Sequence, residues 1–111
     1  MKNNNIENLM SQAVKLLQAD LRNPPSESEI ISRLGISEYH FRQGFRKFFG
    51  TTIGAFLRKK RMTRASEMLA DTDMPISQVA EEVGFRNSSR FAEAFRNQFG
   101  SNPLKYRKSQ S

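Results

Sequence analysis

Apolar residues recur every three or four positions through almost the whole chain, and the breaks in that rhythm are few and sharp. Ile6, Leu9, Met10, Ala13, Leu16 and Leu17 share one side of a helix, which predicts an amphipathic first helix ending before the breaker Asn23-Pro24-Pro25. Ser26 followed by Glu29 has the capping-box spacing, and Ile30, Ile31 and Leu34 give a short second helix its apolar side before Gly35 stops it. Ser37 reads as the N-cap of a third helix that runs to about Phe48 and is closed by Gly50.

From about Ile53 to Ala70 the pattern stays helical without a break, through Phe56, Leu57, Met62, Ala65, Met68 and Leu69. At 1.5 Å per residue this predicts a rod of roughly 27 Å. The segment "DTDMP" ends it, and the earlier outline then returns. Pro75 opens a helix with Val79, Ala80 and Val83 inward, Gly84 makes the turn, and Asn87 caps a helix to about Gln98. Gly100 closes that helix, and Asn102-Pro103 opens a last short one to about Arg107. Helix, short glycine-bearing turn, helix therefore occurs twice, as two helix-turn-helix outlines. No strand pattern is present, so the fold class is all-α.

The recurrence extends to individual residues. Val79, Val83, Gly84 and Phe85 match Ile30, Leu34, Gly35 and Ile36 at an offset of 49. Phe91, Phe95, Phe99 and Gly100 match Phe41, Phe45, Phe49 and Gly50 at 50, and Tyr106 falls at the place of Phe56. The change of offset lies in the turn, where an insertion is best tolerated. Low-complexity sequence is confined to the polar start "MKNNN" and the closing "SQS". The expected organisation is a first unit at 1–50, a linker helix at 51–71 and a second unit at 72–111.

Charge changes the picture once it is located. The net charge is +7, and between Ser37 and Arg64 eight basic residues stand against one acid, Glu38. An excess so concentrated suggests a polyanionic partner, against the plainer reading of a face charged for solubility. The chain has no cysteine and one histidine, which leaves no disulfide framework and no unaided zinc site. No nucleophile motif or carboxylate pair supports catalysis, so no catalytic residue, metal or cofactor is expected. No apolar run approaches the roughly 18 residues of a membrane span, and the start is no signal peptide, so a cytoplasmic protein with no membrane partner is the expectation.

On a helical wheel Phe41, Phe45, Phe48 and Phe49 lie within about 100° and would seat the third helix on the other two. Tyr39, Gln43, Arg46 and Lys47 point away, with His40 and Arg42 on the flanks. In the second copy Phe91, Phe95 and Phe99 face inward, while Ser89, Arg90, Glu93, Arg96 and Asn97 face out. Such a helix suits a DNA major groove, because arginine can bridge guanine O6 and N7 and glutamine can bridge adenine N6 and N7. Hydroxyls reach either base, and a carboxylate accepts from cytosine N4. The N-terminal half of a recognition helix normally meets base edges. Base contacts are therefore expected from Tyr39, Arg42, Gln43, Ser88, Ser89, Arg90 and Glu93. Phosphate contacts are expected from Arg46, Lys47 and Arg96, and at the helix starts Ser37 and Asn87, where backbone amides can face phosphate.

Plainer readings compete with several of these. Tyr39 could be a partly buried aromatic, His40 a structural polar group, and Glu93 a partner of Arg90, Arg96 or Asn97 on its own helix. The run Arg58-Lys59-Lys60-Arg61 goes all round its rod, so one or two of its charges at most would meet phosphate. The phenylalanine ladder reads as core, since its spacing is helical and base-stacking platforms need exposed aromatics. A linker of about 27 Å, with the widths of the two units added, could span successive major-groove segments about 34–36 Å apart on one DNA face. One chain could then read two sites without a dyad. A protein-interaction module with a weakly basic face, or an RNA binder, would be the alternatives.

Two stretches carry a family likeness. "ISQVAEEVGFRNSSRFAEAFRNQFGSNPLKYR", from Ile76 to Arg107, resembles the signature of the DNA-binding domain of the AraC/XylS family of bacterial transcription regulators. "LGISEYHFRQGFRKFFGTTIGAFLRKKRM" is similar to that family's looser first-copy pattern. The likeness covers about residues 8–108. It implies seven helices, two helix-turn-helix units of homeodomain-like form joined by a linker helix, and monomer binding to asymmetric double-stranded DNA sites in adjacent major-groove segments. It also implies a dimer where the domain is part of a longer chain, and activation through RNA polymerase in most members. Gln43 departs from the pattern, which usually has Arg there, and Arg42 stands just before it. Glu93 is acidic where some small relatives carry Arg.

Overall fold

The computed structural model describes residues 2–110; Met1 of the polar start and Ser111 of the closing "SQS" lie outside it. Its seven helices are α1 (Lys2–Ala19), α2 (Glu27–Leu34), α3 (Glu38–Phe49), α4 (Ile53–Asp71), α5 (Ile76–Glu82), α6 (Ser88–Phe99) and α7 (Pro103–Gln110). There is no strand among the described residues, so the chain is all-α. No helix among them is long and apolar enough to cross a membrane.

Each boundary has a local cause. The Asp20 carboxylate accepts from the amides of Arg22 and Asn23 at 3.1 and 3.2 Å, a side-chain turn that stops α1 ahead of the prolines. Ser26 and Glu29 form the reciprocal capping box of α2, the serine hydroxyl accepting from the Glu29 amide at 3.1 Å. Gly50 and Gly100 end α3 and α6 alike, with φ of 71° and 80° and amides donating to the Arg46 and Arg96 carbonyls, each at 2.8 Å. That left-handed backbone strains any residue with a Cβ, which is why both copies close on glycine.

The chain divides into two compact units, Met1–Leu57 and Arg58–Ser111, each with its own core. In the first, Met10, Ala13 and Leu17 of α1 meet Ile30, Phe41, Phe45 and Ile53. Gly44 lets α1 lie close against α3: a Cβ there would lie 3.3 Å from Ile6 Cγ2 and 3.4 Å from Met10 Sδ. In the second, Met62, Ala65, Met68 and Leu69 of α4 meet Val79, Ala80, Val83, Phe91 and Phe95. The apolar residues of α4 thus serve two cores in turn, which explains why that helix reads as helical without one apolar stripe.

The ring contacts repeat with the sequence. Phe45 meets Phe56 at 5.5 Å and Phe49 at 4.7 Å; Phe95 meets Tyr106 at 5.2 Å and Phe99 at 4.6 Å. Phe41, Phe45, Phe91 and Phe95 are fully buried, so the ladder is core. Phe48 is the exception to the wheel reading. It is exposed, with the Lys47 ammonium 5.8 Å from its ring centre. It lies one turn beyond Gly44 on the same flank, and the second copy has the exposed Gln98 at its place. Helical phase alone put it inward, but its neighbour Phe49 takes the place against Phe56 of α4 and the Phe48 ring stays exposed.

Candidate nucleic-acid interface

The seated ladder turns the opposite faces of α3 and α6 outward. On α3 an open depression is lined by Glu38, Tyr39, Arg42, Gln43, Arg46 and Lys47. Tyr39 is 67% exposed and packs edge-on against His40 at 5.6 Å, so no core holds its ring. The Ser37 hydroxyl accepts from the His40 amide at 3.1 Å and lies 2.9 Å from His40 Nδ1. His40 therefore helps to fasten the start of α3, as its structural reading expected.

Arg42 is engaged within the protein. Its Nη2 donates to Glu27 Oε1 at 2.8 Å and makes an ion pair with Glu38 Oε1 at 2.7 Å. The Glu27 hydrogen bond, helped by the charges of both carboxylates, raises the affinity of this guanidinium for its proton. Arg46 and Lys47 are exposed further along the same face.

On α6, Ser88, Ser89, Arg90, Glu93 and Arg96 are all exposed. Among the described residues neither Arg90 nor Glu93 makes an ion pair, so Glu93 does not pair with its helix neighbours as the plainer reading had it. Arg90 and Glu93 line a groove with Ala94, Asn97, Gln98 and Arg58, the last from α4. Sequence reasoning counted Arg58 only as one charge in a basic run. Its placement beside α6 depends on how α4 packs, and no local spacing carries that. Arg61 of the same run goes elsewhere: it is half-buried, lies 5.9 Å from the Phe85 ring centre, and burial lowers its proton affinity.

Asn87 Oδ1 accepts from the amides of Ser89 and Arg90 at 2.8 and 3.1 Å. The cap thus takes two first-turn donors that a phosphate would otherwise use. Asn87→Ala is expected to cost about 1 kcal/mol of stability in urea unfolding, and Asn87→Asp, which can accept the same bonds, much less. Equal losses for the two variants would count against this capping role.

The fold and its two outward faces define the class: a double helix-turn-helix DNA-binding domain. Comparison with known proteins gives the family. The family described as helix-turn-helix domain matches residues 30–109. The probable transcription factor PqrA of Proteus vulgaris is 32% identical over 103 residues, spanning 91% of this chain and 84% of that protein. The multiple antibiotic resistance protein MarA of Escherichia coli strain K12 is 31% identical over 91 residues, spanning 82% and 72%. Among solved structures, a regulator with an AraC-type DNA-binding domain from Chromobacterium violaceum superposes with a TM-score of 0.87 at 26% identity, covering 95% of this chain and 94% of that one. The DNA-binding domain of the transcriptional factor AdpA, solved with a target DNA, gives 0.83 at 26% identity, covering 90% of each. The chain belongs to the AraC/XylS family as a DNA-binding domain, a regulator class and not an enzyme class. Its function is sequence-specific binding of double-stranded DNA in transcription regulation.

Proposed function

We propose that the chain reads two unlike half-sites with two unlike faces: Tyr39 and Gln43 on α3, and Ser88, Ser89, Arg90 and Glu93 on α6. Arg46, Lys47 and Arg96 would hold the phosphates, joined by Arg58 and by those first-turn amides that the Ser37 and Asn87 caps do not take. Residues 51–71 would link the two readers, whose helices enter successive major-groove segments about ten base pairs apart. The observation that carries this reading is the state of α6. Arg90 and Glu93 stand exposed in one groove, and among the described residues no ion pair within the protein satisfies either. An arginine in that condition keeps its whole donor fork for guanine O6 and N7.

Selection of bound duplexes from a randomised library is the direct test. Two short preferred blocks with no dyad between them are expected, and a flat profile would favour a protein-interaction module. Arg90→Ala should weaken binding to the selected duplex by about 1–3 kcal/mol and leave random duplex nearly unaffected. Equal losses on both would remove Arg90 from base readout. The proposal extends to a cytoplasmic activator that contacts RNA polymerase. Transcription in vitro from a template bearing the selected site should then rise on adding the protein.

A further inference from the structure

The two reading faces differ in how their arginines are held. Arg90 stands open, whereas Arg42 is bound through one nitrogen by two carboxylates. That nitrogen is decisive. A guanidinium offers two bidentate edges, Nη1 with Nη2 and Nε with Nη2, and both include Nη2. Nη2 donates a hydrogen bond to Glu27 at 2.8 Å and is ion-paired with Glu38 at 2.7 Å, so neither fork can meet guanine O6 and N7 without displacing a carboxylate from that nitrogen.

We propose that Glu27 is a specificity-determining residue of the first unit: together with Glu38 it holds Arg42 as a positioning strut between α2 and α3 and keeps it out of guanine readout. This deepens the two-face reading above and rests on it. Glu38 sits one turn before Arg42 on the same helix and could follow that side chain wherever it goes. Glu27 belongs to α2, fifteen residues away, and its side chain is about half as exposed as either partner, at 31% against 61% and 60%. It is the fixed end of the strut. Glu27 and Arg42 also line one cleft with Phe41, Phe45 and Ile53, and the hydrogen bond between them bridges α2 and α3 beside the core.

The competition with DNA can be weighed. A bidentate guanine contact discriminates by about 5- to 150-fold. Two exposed ion pairs oppose it by about fivefold each at most. The larger opposing effect is what remains: if Arg42 turned to a base, two uncompensated carboxylates would face the phosphates of the same groove. Readout in the first unit then falls to Gln43 and Tyr39, and a guanine preference is built in only where the second unit has Arg90.

The test is library selection with the whole chain and its Glu27→Gln, Glu38→Gln double variant, each with and without a change at Arg42. Ser26 and Glu29, which cap α2, are untouched by these substitutions. The double variant should gain a guanine preference of about 5- to 150-fold at one position where the unsubstituted chain has none. Adding Arg42→Lys, which keeps the charge but lacks the fork, should remove that gain. In the unsubstituted chain Arg42→Ala should weaken binding to all duplexes alike, because it uncovers both carboxylates. A double variant with an unchanged profile would overturn the proposal. So would an Arg42→Ala profile that has lost one guanine position, although the two-face reading would survive. A flat profile for the unsubstituted chain would sink that reading and this proposal with it.

Discussion

Phe95→Ala is expected to destabilise the second unit by about 3–5 kcal/mol, the range for removing a buried phenylalanine ring. Phe95 is fully buried and its ring contacts three others, Phe91 at 5.9 Å, Phe99 at 4.6 Å and Tyr106 at 5.2 Å. These come from α6 and α7, so the cavity left by truncation would sit where the two helices meet. Small domains have about 5–15 kcal/mol of stability in total, and a unit of this size belongs near the lower end. The variant should therefore show a strongly reduced urea midpoint and lose the sequence preference contributed by α6. Phe45→Ala should cost a similar amount, because Phe45 makes the matching contacts with Phe41, Phe49 and Phe56. A loss below about 1.5 kcal/mol at Phe95 would mean that the ladder is not the main support of α6.

Arg107→Ala is the second large effect, expected at about 2–4 kcal/mol. Arg107 Nε donates to the Leu69 carbonyl at 3.1 Å, and its Nη2 donates to the Met74 carbonyl at 2.7 Å. Leu69 lies in the last turn of α4, where carbonyls have no partner within the helix, and Met74 lies in the connection to α5. One side chain from α7 thus closes the end of α4 and pins the loop that follows. Hydrogen bonds from a charged donor contribute about 1.5–3 kcal/mol each, and truncation would leave two part-buried carbonyls unsatisfied. Arg107→Lys should recover less than half of the loss, since an ammonium is a point charge and lacks the planar fork that meets two carbonyls at once. Urea unfolding of the three proteins decides it. Near-equal midpoints for the original and Ala chains would show that water replaces both bonds.

Most of the fold was legible in the chain because its signals are local. The capping box at Ser26 and Glu29, the glycines at 50 and 100, and the prolines at 75 and 103 act within one turn of where they stand. Helical periodicity then says which side of each helix is apolar. The same rhythm predicted that Phe56 and Tyr106 would occupy matching places, and their ring contacts with Phe45 and Phe95 agree. Periodicity failed at Phe48, where phase pointed inward but the ring stays exposed beside Lys47. The length of α7 was also underestimated, as it continues to Gln110 rather than about Arg107.

What the amino-acid order determined by itself is the number of helices, the identity of the buried ladder, and the doubling of one reading unit with different residues on its two outward faces. These depend on interactions between residues a few positions apart, which spacing encodes directly. Tertiary structure alone decided which polar groups meet across elements. It brought Glu27 to Arg42, Arg58 to the groove of Arg90 and Glu93, and Arg107 to the carbonyls of Leu69 and Met74. Each such pair joins positions 15 to 38 apart through the packing of whole helices, and a long charged side chain carries no local sign of the partner it will find. The two arginines assigned to base readout were alike in sequence. Only the folded chain separates the open Arg90 from the braced Arg42.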